Sequence, residues 1–267
     1  MTQTLCLSLI GAVIGTFFGR YIGWAIRAWP GFEKFHCDYL KCPSCQKGLE
    51  FGCCNAGITQ ERIYIAISAI VAGLSVFYFG FSAKAFVSWL FVIACLIVTI
   101  VDIRTFIIPD RLSKGGIILG LAYAVIGWAV LEWGGFKLSY YVSLTDSLIG
   151  FTVGGGFLMF LGKVSEVVFK KPDGMGGGDV KLLAAMGAWA GWKPVIITVL
   201  IASFVGASFG LAGIITDWTR KHKAYKPMTH HIPFGPYLCL GFLITFYLGM
   251  EPFMNFFYSY QYWVTNR

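Results

Sequence analysis

The stretch Ala85-Phe-Val-Ser-Trp-Leu-Phe-Val-Ile-Ala-Cys-Leu-Ile-Val-Thr-Ile-Val101-Asp102-Ile-Arg104 sets the fold class. It runs from Ala85 to Val101 without a charge and then meets an acid. A helix needs about 20 mostly apolar residues to cross roughly 30 Å of hydrocarbon, where its backbone groups must bond within their own segment. The run therefore predicts a membrane helix, with Lys84 at one end and Asp102 and Arg104 at the other. Working outward, comparable segments are predicted at about Leu5 to Ile26, Ile63 to Phe81, Gly115 to Leu131, Val142 to Leu161, Pro194 to Ile215 and Ile232 to Met250. An eighth candidate, Val180 to Trp192, is short: its 13 residues cover only about 20 Å at a rise of about 1.5 Å per residue. Hydrophobic residues make up 57% of the 267, charged residues 13%, and mean hydropathy is +0.70. That balance excludes an ordinary water-soluble domain and predicts an all-α, polytopic helical membrane protein of about eight transmembrane helices.

Charge placement tests the span count, because cytoplasmic loops hold an excess of Lys and Arg. With eight spans, sixteen of the 21 basic residues fall on one side, among them Arg27, Arg62, Arg104, Arg111, Lys170, Lys181 and Arg220. Four fall on the other, Lys84, Lys137, Lys193 and Arg267, and Arg20 lies within the first span. The bias would largely collapse after Lys181 if the short segment did not cross, so eight spans are expected, with both termini outside. Arg20 is the first basic residue, so the opening segment is expected to be an N-outside span rather than a cleaved signal peptide. The chain divides into a first transmembrane helix (1–29), a small cytoplasmic cysteine-rich loop (30–61) and a seven-helix membrane core (62–267). The net charge of +8 is accounted for by contact with anionic lipid along the inner leaflet of a cytoplasmic membrane, and calls for no nucleic-acid partner.

On this topology Asp102 ends the third span and Asp179 opens the short sixth, both at the cytoplasmic face. Ionisable groups at membrane depth are costly and tend to line a site or a water path. Two carboxylates brought within about 3 Å share one proton, which leaves one to activate water and the other to donate to a carbonyl. Gly176 and Gly178, just before Asp179, leave room for a substrate backbone to approach the carboxylate. Asp110, after Pro109, is expected to be the N-cap of the fourth span. His230 and His231 are expected to mark the membrane interface. In the first span Gly11, Gly15, Gly19 and Gly23 recur every fourth residue and form a smooth stripe suited to close packing against another helix of the same chain.

Five of the eight cysteines cluster in the first cytoplasmic loop, at Cys37, Cys42, Cys45, Cys53 and Cys54. A reducing cytoplasm disfavours structural disulfides, whereas Cys42-Pro-Ser-Cys45 has the spacing of thiolates that hold tetrahedral zinc. Cys42 and Cys45 are the firm half of the site; one of Cys53 and Cys54, with Cys37 or His36, completes it. Cys6, Cys95 and Cys239 lie within spans and are expected to be small packing residues.

Together these features resemble the type IV prepilin peptidases, integral-membrane aspartic proteases of the Gly-x-Gly-Asp group. The resemblance covers most of the chain and rests on four features in order: the Cys-Pro-x-Cys loop, Asp102 with Ile108-Pro109-Asp110, Gly176 to Asp179 followed by Val180-Lys181-Leu182, and Pro233-Phe234-Gly235-Pro236. It implies Asp102 and Asp179 as catalytic residues. It also implies cleavage of the basic leader peptide from type IV pilin or type II secretion pseudopilin precursors at the cytoplasmic membrane surface. In many members it further implies methylation of the new N-terminus with S-adenosylmethionine. Two departures stand out: the second cysteine pair is adjacent and follows soon after Cys45, and the first span only loosely matches the family's start. A different reading from the same acids is a small transporter coupled to protons or cations. Against it stand the absence of internal repeats and the cysteine loop, which has no purpose there.

Overall fold

The computed structural model describes residues 8–16, 19, 55–134, 140–169, 176–221 and 233–265. All regular structure among them is helical. We number a first helical segment, residues 8–16, as α1; it is followed by α2 (Asn55–Phe79), α3 (Ala83–Thr105), α4 (Asp110–Gly134), α5 (Leu144–Phe169), α6 (Gly177–Ala190), α7 (Trp192–Lys221), α8 (Gly235–Leu248) and α9 (Glu251–Thr265). Five of these, α2 to α5 and α7, are long and apolar enough to cross a membrane, and α8 with α9 makes a sixth if that pair, bent by 88°, is taken as one span. Large apolar side chains stay exposed along them, Ile118, Ile126, Phe160 and Phe204 among others, as a lipid-facing surface requires. The cysteine cluster, His36, His230 and His231 lie outside the described residues.

The described residues pack as two units, Met1–Val101 and Asp102–Arg267, with the boundary inside α3. In the first unit the glycine stripe does what its spacing suggests. A Cβ on Gly15 would lie 2.6 Å from the Ser68 carbonyl oxygen and 2.8 Å from the Ala72 Cβ, and one on Gly11 would lie 2.8 Å from Val76 Cγ2. The stripe is thus filled by α2 of the same chain. In lipid, where apolar burial drives helices together only weakly, such close backbone approach is the main source of packing energy.

The second unit is built around α6, which packs against α4, α5, α7 and α8. Its sequence, Leu182-Leu-Ala-Ala-Met-Gly-Ala188, is buried throughout and nearly smooth. Glycines on both neighbours receive it. Gly150 and Gly187 face each other so closely that a Cβ on either would fall on the other's carbonyl, and a Cβ on Gly154 would lie 2.5 Å from the Leu183 carbonyl oxygen. On the other side Gly116 meets Ala185, and Gly120 meets Ala188 and Trp189. The carbonyls at the end of α6, orphaned by helix termination, are taken up by side chains: Ser147 Oγ donates to Ala188 O (2.6 Å) and Tyr140 Oη donates to Trp189 O (2.7 Å). A helix of 14 residues is too short for an ordinary span, and what holds it is this shell of glycines and hydroxyls rather than length.

Three outcomes differ from the sequence expectations. Asp110 is the first residue of α4 rather than its cap: the amides of Leu112 and Ser113 both donate to the Pro109 carbonyl, so the helix begins one residue earlier than a capping aspartate requires. The segment expected as a last span of Ile232 to Met250 holds a helix of only 14 residues, ended by Gly249 at φ 72°. Beyond it lies the unanticipated α9, with no buried residue. On a helical wheel Phe253, Phe256, Phe257, Tyr260, Trp263 and Val264 fall on one face and Glu251, Asn255 and Ser259, with the hydroxyl-bearing Tyr258 and Tyr262, on the other, a pattern suited to lying in a bilayer surface.

Candidate active site

Asp102 stands one turn from the end of α3, where the chain leaves the helix through Phe106 in a left-handed conformation (φ 54°). The Phe106 amide closes the last turn on the Asp102 carbonyl at 2.8 Å. Asp102 is 4% exposed. Its Oδ2 accepts a hydrogen bond from the Gly235 amide at 3.0 Å. Gly235 is the first residue of α8, and Pro236 follows with no amide hydrogen to offer. The first amides of a helix have no partner inside it and carry a partial positive charge, so a carboxylate is a natural acceptor there. A buried acid is stabilised by a donor that needs no side chain.

Asp179 lies in the first turn of α6, half-buried, with its amide bonded to the Gly176 carbonyl at 3.1 Å. Its carboxylate sits over Gly176, where an added Cβ would lie 2.8 Å from Oδ2. The two aspartates are close enough to interact electrostatically. Ile108, 5% exposed, is the side chain that Gly178 and Gly235 both approach. A Cβ on Gly178 would lie 2.9 Å from Ile108 Cβ, and one on Gly235 would lie 3.3 Å from Ile108 Cδ1 and 2.7 Å from Asp102 Oδ2. Thus Asp102, the turn before α4, and the first turns of α6 and α8 come together around Ile108. Of the two glycines expected to leave room for a substrate, Gly176 is exposed beside the Asp179 carboxylate, whereas Gly178 backs onto Ile108.

Two features escaped sequence reading. One is the Gly235 amide, since a backbone donor leaves no side-chain signature, although a glycine and proline at a helix entry was the available hint. The other is Lys181, whose Nζ lies 2.7 Å from Asp110 Oδ1, while Lys114 Nζ lies 2.7 Å from Asp110 Oδ2. Cys95 and Cys239 are buried, as expected of packing residues. No group of three or more His, Cys, Asp or Glu arranged to hold a metal occurs among the described residues.

Comparison with known proteins bears on the same residues. The type IV leader peptidase family matches residues 89–211, a range that holds both aspartates, Asp110 and Lys181. The prepilin leader peptidase/N-methyltransferase of Aeromonas salmonicida (strain A449) is 33% identical over 193 residues, 70% of this chain and 58% of that protein. The proteins of the same name from Burkholderia pseudomallei (strain K96243) and Pseudomonas aeruginosa are 32% and 31% identical, covering 86% and 82% of this chain and 66% and 67% of theirs. The chain therefore spans 58% of the length of the Aeromonas relative. No solved structure matches.

Proposed function

Since the chain belongs to the type IV leader peptidase family, we propose that it is a membrane aspartic endopeptidase whose Asp102 and Asp179 cut the basic leader from type IV pilin or type II secretion pseudopilin precursors. The observation that supports this reading is the cluster around Ile108: Gly235, whose amide binds the buried Asp102, and Gly178, next to the half-buried Asp179, both approach that side chain. Gly176 leaves the approach to Asp179 free of a side chain, so that an extended substrate backbone can lie against it, and Gly178 keeps the first turn of α6 close to Ile108.

The pair holds one proton between its two carboxyls. The ionised carboxylate takes a proton from water as the water oxygen attacks the scissile carbonyl, and the neutral carboxyl gives its proton to the carbonyl oxygen. The tetrahedral diol then collapses: the C–N bond breaks, the nitrogen takes the proton now held by the pair, and a diol hydroxyl returns one. The pair ends with a single proton, as it began. Acid and base belong to the pair as a unit, because strongly coupled groups titrate together.

The finer topology belongs to the same proposal: eight spans, with α6 as the short sixth, both termini outside, and the dyad opening to the cytoplasm. Its support is the 16 to 4 asymmetry of basic residues. The loop of Cys37, Cys42, Cys45, Cys53 and Cys54, with His36, offers a thiolate-rich donor set that fits a structural zinc ion. Zinc would tie that loop into one fold; the cut itself has its acid and base in the dyad. Methyl transfer from S-adenosylmethionine to the new N-terminus completes the proposal, following the two-part name of the relatives.

The deciding experiment incubates purified protein in detergent with a pilin precursor, with and without S-adenosylmethionine, and weighs the products. Release of the leader is expected in both arms, with a gain of one methyl group on the mature chain only when the donor is present. An intact precursor in both arms would overturn the peptidase reading.

A further inference from the structure

We propose that the Asp110–Lys181 ion pair is a positioning device for the carboxylate pair, holding the first turn of α6, and with it Asp179, in register against the Ile108-Pro109-Asp110 turn. The inference rests on the peptidase reading and deepens it. Lys181 follows Asp179 by two residues on α6, and Asp110 follows Ile108 by two at the head of α4. The same two segments therefore meet at two points that flank Asp179. One is steric, Gly178 against Ile108, and the other is ionic, Lys181 Nζ to Asp110 Oδ1 at 2.7 Å. One contact alone would leave the start of α6 free to pivot; two set both its depth and its rotation. The reference extends to the other acid, because Gly235, which donates to Asp102, leans on the same Ile108.

The rest of the α4–α6 contact lies further along α6 than Asp179. It runs through small residues, Gly116 on Ala185 and Gly120 on Ala188, to an anchor at the far end of α6, where Trp189 Nε1 donates to the Gly116 carbonyl at 2.9 Å and the ring stacks on Tyr123. Smooth faces allow close approach but grip poorly, and the Trp189 anchor stands ten residues beyond Asp179, so the ion pair is the tie placed next to the carboxylate. Asp110 is itself immobilised, since its second oxygen is held by Lys114 one turn along α4. The Lys181 and Asp110 side chains remain 38% and 35% exposed. Exposed pairs add little to stability, so this one is expected to act on geometry, and a displacement of about 1 Å at a reacting group can cost roughly 10²-fold in rate.

The test measures kcat, KM and thermal unfolding for the full chain in detergent with a pilin precursor. Asp110→Asn and Lys181→Gln should each lower kcat about 10- to 100-fold while KM stays within about twofold of wild type and the melting temperature is unchanged. The double variant should be no slower than the slower single one, the mark of two residues acting as one unit. Lys181→Arg should restore most of the rate, and Lys114→Gln, which loosens Asp110 but leaves its contact with Lys181 in place, should lower kcat less than either single variant. The inference is overturned if the single variants keep wild-type kcat while Asp102→Asn is inactive, if their effects multiply in the double variant, or if the loss lies in KM, which would make Lys181 a substrate contact. A fall in melting temperature that tracks the loss of activity would also overturn it, in favour of a structural strut. Cleavage by Asp102→Asn would instead overturn the peptidase reading, an outcome separate from all of these.

Discussion

α6 and α8 each run 14 residues and each stops on a glycine with positive φ, Gly191 at 82° and Gly249 at 72°. Each of those glycines donates its amide to the carbonyl four residues back. The helices part company at their N-termini. α6 is entered through Gly176-Gly177-Gly178 and carries its own carboxylate in the first turn. α8 is entered through Phe234-Gly235-Pro236 and carries none; it spends its first amide on a carboxylate from α3. Both exploit the same physical fact, that the first turn of a helix has unpartnered N–H groups and a positive end. One helix supplies a reacting group, and the other holds its partner. The contrast can be broken by substitution at either end.

The largest effect is expected at the carboxylates. Asp102→Asn and Asp179→Asn should each lower precursor cleavage by about 10²- to 10⁴-fold, the range in which general acid–base groups act. The products would be weighed by mass spectrometry, with expression and detergent-solution size unchanged. Residual cleavage above a few per cent in either variant would dissolve the distinction between the two helices, since neither would then serve a dyad. The pH profile sharpens the same point. Rate should rise as the first carboxyl of the pair ionises and fall as the second does, by tenfold per pH unit on each limb, and a profile without both limbs would speak against a shared proton.

Next comes the holding end. A Cβ on Gly235 would lie 2.7 Å from Asp102 Oδ2 and 3.2 Å from its Cγ. Gly235→Ala must therefore push the carboxylate aside or rotate the amide that binds it, and a loss of about 10- to 100-fold in kcat is expected. Wild-type kinetics in this variant would remove α8 from the site. Smaller again is the effect expected of the cysteine loop. Purified protein should hold about one zinc per chain, lost in the Cys42→Ser/Cys45→Ser variant. A measurable fraction of cleavage should survive the loss of metal. Cleavage that vanished on chelation with the fold intact by circular dichroism, and returned with added zinc, would move the metal into the cut.

The sequence made the helices and the two acids legible because both leave signals in side chains. Apolar runs bounded by charge located α2 to α5 and α7, although α2 begins at Asn55 rather than Ile63 and α5 runs to Phe169 rather than Leu161. Asp102 and Asp179 stood out because acids at the ends of such runs are costly. What stayed hidden was carried by backbone or by distance. The Gly235 amide has no side chain to betray it. The Asp110–Lys181 pair spans 71 positions, and no local rule links them. Asp110 looked like a cap because Pro109 precedes it, but the Pro109 carbonyl already accepts the first helical bonds, which shifts the start by one residue. α9 was missed because a search for long apolar runs passes over a helix with only one apolar face.

The smallest effects should come from the glycines that lead into α6, and here adjacent positions should part. A Cβ on Gly177 would meet nothing within 4 Å, whereas one on Gly178 would lie 2.9 Å from Ile108 Cβ. Both positions lie in the first turn of the helix, where alanine has the better propensity by about 1 kcal/mol. Gly177→Ala should therefore leave cleavage within about twofold of wild type and raise the melting temperature slightly, because reduced freedom in the unfolded chain is its only consequence. Gly178→Ala carries the same gain but must displace Ile108, a buried branched side chain with little room to yield, at a cost of about 1 to 3 kcal/mol. Its melting temperature should fall and its kcat should drop several-fold, because Ile108 also abuts Gly235 beside Asp102. If the two alanine variants behaved alike, whether both silent or both impaired, the shared wall at Ile108 would not set the distance between the acids.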